Sequence, residues 1–247
     1  WSLSLLAKIA PGNMSRIVDI HGRTARTYFT GASDSTPAGL YALEDSGDPL
    51  ALTYFIQANE RIPSYNNWCD VDRALQTLTH IAAAIRNPST IPMIAIAVKH
   101  GNVCGAAWGN HPLRTLELMI MGDPQAIFGG IVMTNFGITA ECATHLSTFG
   151  MQKGTRILDG VVAPHIGCDA SFLLKRKDGR GFALTNPELH HIDEGASIDA
   201  TQRVRYVRGG MLVQPNYTHV MDDATWVQHG SRPPISSTPT TPAWPWS

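Results

Sequence analysis

A chain of 247 residues with 43% hydrophobic and 16% charged content is long enough to bury a real core in one large domain or two small ones. Its 19 Lys+Arg against 20 Asp+Glu leave a net charge of −1, which excludes the broad positive field that gathers nucleic acid or an anionic membrane surface. The longest apolar runs fall well below the roughly 18 residues of a bilayer span, and the opening WSLSLLAKIAPGNMSR has neither the basic region nor the cleavage site of a signal peptide.

In chain order, residues 70–87, DVDRALQTLTHIAAAIRN, set Val71, Leu75, Leu78, Ile81, Ala82 and Ile85 on one face at helical spacing, with Asp70 as N-cap and Pro88 as the stop. IPMIAIAV (91–98) is continuously apolar, as expected of a strand covered on both faces in a parallel sheet. It leads through Lys99 and His100 into a glycine-rich turn. A helix follows near LRTLELMIM, and AIFGGIVMTN reads as a second buried strand in which Gly129 and Gly130 leave room for a close approach to the backbone. TAECATHLSTFG is a helix closed by Gly150, RILDGVVAP a third strand, CDASFLLKRKDGRG a helix with a turn, GFALTN a fourth strand and YVRGGMLVQ another. This alternation predicts a layered α/β sheet. Residues 1–230 are expected to form one domain and 231–247, rich in Pro, Ser and Thr, a tail or arm. Trp226, Trp244 and Trp246 lack a periodic element to bury them, which suggests packing across a homodimer.

Lys99 and His100 stand at the carboxyl end of a buried strand, where open α/β sheets bind ligands. The plain reading is a strand reaching water. The chemical reading is a histidine that accepts a proton at neutral pH beside an ammonium that steadies an oxyanion, a pair suited to acyl or formyl transfer to an amine. Cys104 admits two readings as well, nucleophile beside His100 or small buried hydrophobe. Cys69, Cys104, Cys142 and Cys168 are too widely spaced for a CxxC site or a disulfide framework, so a reducing cytoplasm is the expected home. His190 and His191 in HHID read as exposed polar residues, and no metal is predicted. GNVCGAAWG lacks the G-K-[ST] ending of a phosphate-binding loop.

SYNNWCDVDRAL, VKHGNVCGAAWG, GDPQAIFGGIV, LDGVVAPHI and YVRGGMLVQ resemble, in order, five motifs of the AICAR transformylase family, the formylating part of a bifunctional purine enzyme. The match runs over roughly residues 36 to 214. It implies an α/β/α, cytidine-deaminase-like fold, although the zinc-deaminase pattern H-x-E with P-C-x-x-C is absent. It also implies His100 as the proton acceptor and Lys99 as the oxyanion stabiliser, with Asn67, Phe128, Gly129 and Asp159 around the acceptor. Three of these have a plainer alternative: a helix cap for Asn67, a bulge for Gly129, a turn residue for Asp159. Where the family carries Arg-Tyr to grip the nucleotide, this chain has Tyr28 and Phe29, and its His-Gln positions are Asp34 and Ser35. Arg23 or Arg26 would have to supply the phosphate contact; otherwise the substrate lacks the ribose phosphate. The family's second α/β half, with much of its folate site, has no counterpart after GGMLVQ. The expectation is therefore a formyltransferase-like enzyme acting on a small amino or carboxamide compound, with 10-formyltetrahydrofolate as donor if another chain completes the folate site. The alternatives are a folate-independent hydrolase or cyclase of a related amide, or a non-catalytic partner subunit.

Overall fold

A computed structural model describes residues 17–20, 23–33, 36–43, 47–85, 92–174, 181–192 and 197–220. Its centre is a six-stranded sheet in the order β4-β9-β8-β7-β5-β6, built from β4 (Ile56–Gln57), β5 (Met93–Lys99), β6 (Asn102–Gly109), β7 (Ile131–Thr134), β8 (Gly160–Ala163) and β9 (Phe182–Thr185). A separate three-stranded antiparallel sheet comprises β1 (Ile17–Ile20), β2 (Arg23–Ser33) and β3 (Thr36–Leu43), and β10 (Gln202–Val207) pairs with β11 (Gly210–Pro215) as a hairpin.

The sheet is sandwiched between helices because its strands are apolar on both sides. Successive side chains of a strand point to opposite faces. Ile94, Ile96 and Val98 of β5, with Ile131 and Met133 of β7, pack under helix α1 (Tyr65–Ala84) against Trp68, Val71, Ala74, Leu78 and Ala82. Ala95, Ala97 and Val132 face the other way, onto α2 (Pro112–Gly122), α3 (Ala140–Thr148) and α4 (Cys168–Leu174) through Leu116, Met119, Leu146 and Ala170. This is the expected α/β/α layering.

Four local expectations are corrected. Helix α1 begins five residues before Asp70: Ser64 is the N-cap, and its hydroxyl accepts from the Asn67 amide while the Asn67 side chain accepts from the Ser64 amide 2.9 Å away, a reciprocal capping box. The sheet is mixed rather than parallel. β7, β8 and β9 run parallel to one another, but β5 is antiparallel to both β6 and β7. The segment after Lys99-His100 is strand β6 and not a long turn. Its Gly105 is there because a Cβ would stand 2.2 Å from the Met119 carbonyl oxygen of α2. YVRGGMLVQ supplies parts of two paired strands rather than one. Pro88, Asp34, Ser35, the tail 231–247, Trp226, Trp244 and Trp246 lie outside the described residues.

Candidate active site

The antiparallel setting of β5 creates the site. Because β5 runs against β7 and β8, its carboxyl end meets their amino ends: Val98 pairs with Ile131, which in turn pairs with Gly160. Lys99 at the end of one strand therefore shares a sheet edge with the residues that precede the other two, Phe128, Gly129 and Asp159. At this edge β5 and the two-residue β4 present their carboxyl ends, while β6, β7, β8 and β9 present their amino ends.

Backbone hydrogen bonds lace this edge. The Gly129 amide donates to the Ile157 carbonyl at 2.8 Å, the Asp159 amide to the Gly130 carbonyl at 2.8 Å, and the Phe182 amide to the Asp159 carbonyl at 2.9 Å. The chain leading to Asp159 is anchored by Arg156, a buried guanidinium that donates to the carbonyls of Leu146 (2.8 Å) and Phe149 (2.9 Å) at the carboxyl end of α3, where a positive charge also suits the helix dipole. The Lys99 ammonium donates to the Phe128 carbonyl. Gly129 has φ +70, and a Cβ there would lie 3.8 Å from Lys99 Nζ; a Cβ on Gly130 would meet the Val98 carbonyl oxygen at 2.8 Å. The FGG sequence thus has two physical reasons: one glycine turns the chain beside the lysine, the other lets β7 approach β5.

His100 and Gly101 form the two-residue turn between β5 and β6, Lys99 pairing with Asn102 across it. Both have positive φ, 54 and 74, the pattern of a type I′ hairpin. The imidazole is exposed and Lys99 half-buried. Two groups outside the turn hold its backbone. Asn102 Nδ2 donates to the His100 carbonyl at 3.0 Å, and the Gly101 amide donates to the Asp70 carboxylate at 2.6 Å. Asp70, expected as a helix cap, is instead a buried acid on the second turn of α1. The sequence signal that would have found it is a carboxylate set between the apolar positions Trp68 and Val71.

Asn67 precedes Asp70 on the same helix by about 4.5 Å of axial rise. Its Oδ1 is engaged in the capping box, so what it can offer a ligand is its Nδ2 hydrogens. Cys104 is half-buried; burial pushes its thiol pKa up, with the Asp123 and Asp70 carboxylates adding to the rise against Lys99. That favours the protonated thiol over a nucleophile. Tyr28 is the extra residue at a bulge of β2, between Thr27 and Phe29, in the three-stranded sheet. His190 and His191 are exposed at the end of a short 3-10 turn, and among the described residues no group of three His, Cys, Asp or Glu could hold a metal ion. A cleft of ≈ 290 Å³ opens on the other side of α1, lined by Asp72, Gln76, His80, Asp199, Arg203 and Asn216 among others, and it includes neither Lys99 nor His100.

The AICARFT/IMPCHase bienzyme family model matches residues 13–241. Among curated relatives, the bifunctional purine biosynthesis protein PurH of Desulfitobacterium hafniense (strain DSM 10664 / DCB-2) is 28% identical over 221 residues, 88% of this chain and 37% of the relative. PurH of Acidithiobacillus ferrooxidans is 33% identical over 200 residues, 80% and 33%, and that of Anoxybacillus flavithermus 32% over 181, 72% and 31%. The chain thus spans about a third of the length of these relatives. Solved structures with some likeness include the apo dCMP deaminase of cyanophage S-TIM5, at TM-score 0.33 and 13% identity over 46% of this chain and 94% of that one, and Acinetobacter baumannii RibD, at TM-score 0.31 and 11% identity over 53% and 38%.

Proposed function

The chain belongs to the AICARFT/IMPCHase bienzyme family, and from that premise we propose that it takes part in transfer of a formyl group to the amine of a small amino or carboxamide compound. The observation that carries this reading is the convergence of Lys99, Phe128-Gly129 and Asp159 on one sheet edge beside the His100 turn. An ammonium, an imidazole and a carboxylate on one edge match the needs of acyl transfer: charge for a developing oxyanion, a base for the attacking nitrogen, and an acceptor to orient it.

In the proposed step the amine nitrogen attacks the formyl carbon, and the carbonyl pair moves onto oxygen. Lys99 stabilises that oxygen by exchanging its hydrogen bond to the Phe128 carbonyl for one to the oxyanion. His100 takes the proton released by the amine. Collapse of the tetrahedral adduct breaks the bond between the formyl carbon and the donor nitrogen, which leaves with the proton returned by His100. Asn67, through its Nδ2 hydrogens, and Asp159 orient the acceptor, and Gly129 keeps the approach to Lys99 open. The donor, by family, is 10-formyltetrahydrofolate. No metal enters the scheme.

Tyr28 and Phe29 stand where the resembled motif carries its phosphate-gripping arginine, so the acceptor is read as lacking the ribose phosphate. Calorimetry with AICAR and with its dephosphorylated form tests this: equal affinities are expected, and a clear preference for the nucleotide would assign the grip to Arg23 or Arg26. The formyl-transfer reading itself is tested by titrating the purified protein with 10-formyltetrahydrofolate in the presence of the acceptor and following release of tetrahydrofolate. Release is expected; binding of acceptor with no use of any formyl donor would leave the amide hydrolase or cyclase alternative. The active assembly is proposed to be a homodimer acting in the cytoplasm, with light scattering across a dilution series as its check.

A further inference from the structure

The His100 conformation needs an external cause. A non-glycine residue in the left-handed region costs roughly 1–2 kcal/mol, and among the described residues His100 is the one non-glycine with positive φ. Such strain persists when the surroundings over-determine it. The hairpin supplies part of the cause, since a type I′ turn follows the strand twist. In such a turn, however, the amide of the second central residue has no partner within the hairpin. Here that amide, Gly101, meets Asp70 at 2.6 Å, and Asp70 is only 8% exposed. A buried carboxylate is costly unless hydrogen-bonded, and an acceptor that carries charge makes the stronger bond. The carboxylate is also rigidly mounted, because α1 is 20 residues long and packs on β5 and β7.

We propose that Asp70 is a positioning residue for the Lys99-His100 pair: by accepting the Gly101 amide it holds the turn in its left-handed form and so sets where the imidazole and ammonium stand relative to the acceptor. The proposal rests on the reading of that pair as the reacting groups. Without the hold, the turn can relax to forms with negative φ at His100, which swing the imidazole away from the edge that Lys99, Gly129 and Asp159 define. A misplacement of about 1 Å is enough to cost roughly 100-fold in rate.

The test combines turnover with a measurement on the turn itself, using Asp70→Ala, Asp70→Asn and His100→Ala in the intact protein. In Asp70→Ala, kcat for formyl transfer should fall about 10- to 100-fold with KM held within about twofold, and hydrogen exchange at the Gly101 amide should quicken by tenfold or more. Asp70→Asn keeps an acceptor oxygen in place and should restore most of both losses. Should Asp70→Ala not fold, Asp70→Ser, too short to reach the amide, takes its place with the same expectations. An unchanged Gly101 exchange rate in Asp70→Ala overturns the proposal, as does wild-type kcat in that variant when His100→Ala is inactive. Wild-type turnover in His100→Ala would instead refute the reading of the pair, and the Gly101 exchange rate would then decide by itself whether Asp70 holds the turn.

Discussion

Two hairpins of this chain are tied to the same helix by carboxylates two residues apart, and they are tied very differently. The β5–β6 turn, His100-Gly101, is held by buried Asp70 through a backbone amide at 2.6 Å; the β10–β11 hairpin is held by Asp72 through the Arg203 guanidinium at 3.3 Å, both side chains substantially exposed. Both turns have two central residues, but Arg208, matching His100, is at negative φ while Gly209 alone is left-handed at 76. One hairpin therefore has a left-handed non-glycine residue at its tip and a buried acidic side chain against it, and the other has neither. Left-handed backbone at a non-glycine residue persists only where its surroundings over-determine it, and at this turn the hairpin closure and the Asp70–Gly101 bond both do so. The other hairpin shows that this helix can anchor a hairpin without such a residue or a buried acid.

The largest effect that would break this contrast is at the tips. His100→Ala should lower turnover by roughly two to four orders of magnitude, the range of a general base, with the fold retained; Lys99→Met should cost about as much through the oxyanion. Arg208→Ala, at the matching tip, should leave both rate and stability within experimental scatter. Steady-state kinetics of the three variants decides the matter, and equal effects at His100 and Arg208 would remove the distinction.

Next in size is the packing behind the strained turn. In Gly130→Ala the new methyl would stand 2.8 Å from the Val98 carbonyl oxygen and 3.2 Å from that of Ile127, both backbone atoms, so β5 and β7 must part to admit it. A loss of about 1–3 kcal/mol is expected in denaturant unfolding, together with reduced turnover because Lys99 shifts with its strand. Gly209→Ala, with nothing within 4 Å of the added Cβ, should lose only the backbone preference at φ +76, about 1 kcal/mol, and no activity.

A smaller effect has the opposite sign. Asn-Gly is the preferred pair of a type I′ turn, so His100→Asn should raise stability by a few tenths to about 1 kcal/mol while abolishing the base. Thermal unfolding beside an activity assay shows whether function and stability conflict at this position, as strain at a reacting group requires.

The layering was legible because β5, β7, β8 and β9 are apolar on both faces and α1 carries one apolar stripe. Lys99, Gly129 and Asp159 were grouped by motif, and the structure places them on one edge for a reason that motif matching does not contain: the antiparallel β5 brings opposite strand ends together. Strand direction left no mark in IPMIAIAV, because a doubly covered strand is equally apolar in either sense. β6 was misread because Gly105 and Gly109 look like turn residues, whereas Gly105 answers to a helix passing overhead. The sheet of residues 17–43 was missed because RTARTYFTGAS mixes polar and apolar residues without strict alternation. Asp70 was given the cap role that Ser64 performs, and a buried acid on an otherwise apolar face was the overlooked sign.

The smallest effect concerns the looser tether. Asp72 is about half exposed, and its pKa is raised: partial burial lifts it most and Asp199 adds to it, while Arg203 and Arg73 pull it down without reversing the shift. A carboxyl whose pKa is higher in the folded than in the unfolded state binds a proton more readily when folded, so ionising it costs stability. That cost is absent below the ordinary carboxylate range and appears as pH rises through the folded-state value. The burial of Asp72 thus offsets part of what its contact with Arg203 contributes, in keeping with the small worth of most exposed ion pairs. Asp72→Asn should leave the unfolding free energy unchanged or slightly raised at pH ~7, by less than about 1 kcal/mol, and the difference from wild type should vanish toward pH ~3. A clear loss at neutral pH on removing Asp72 would mean that the second hairpin depends on its carboxylate as the first does on Asp70, and the contrast between the two tethers would then lie in burial alone.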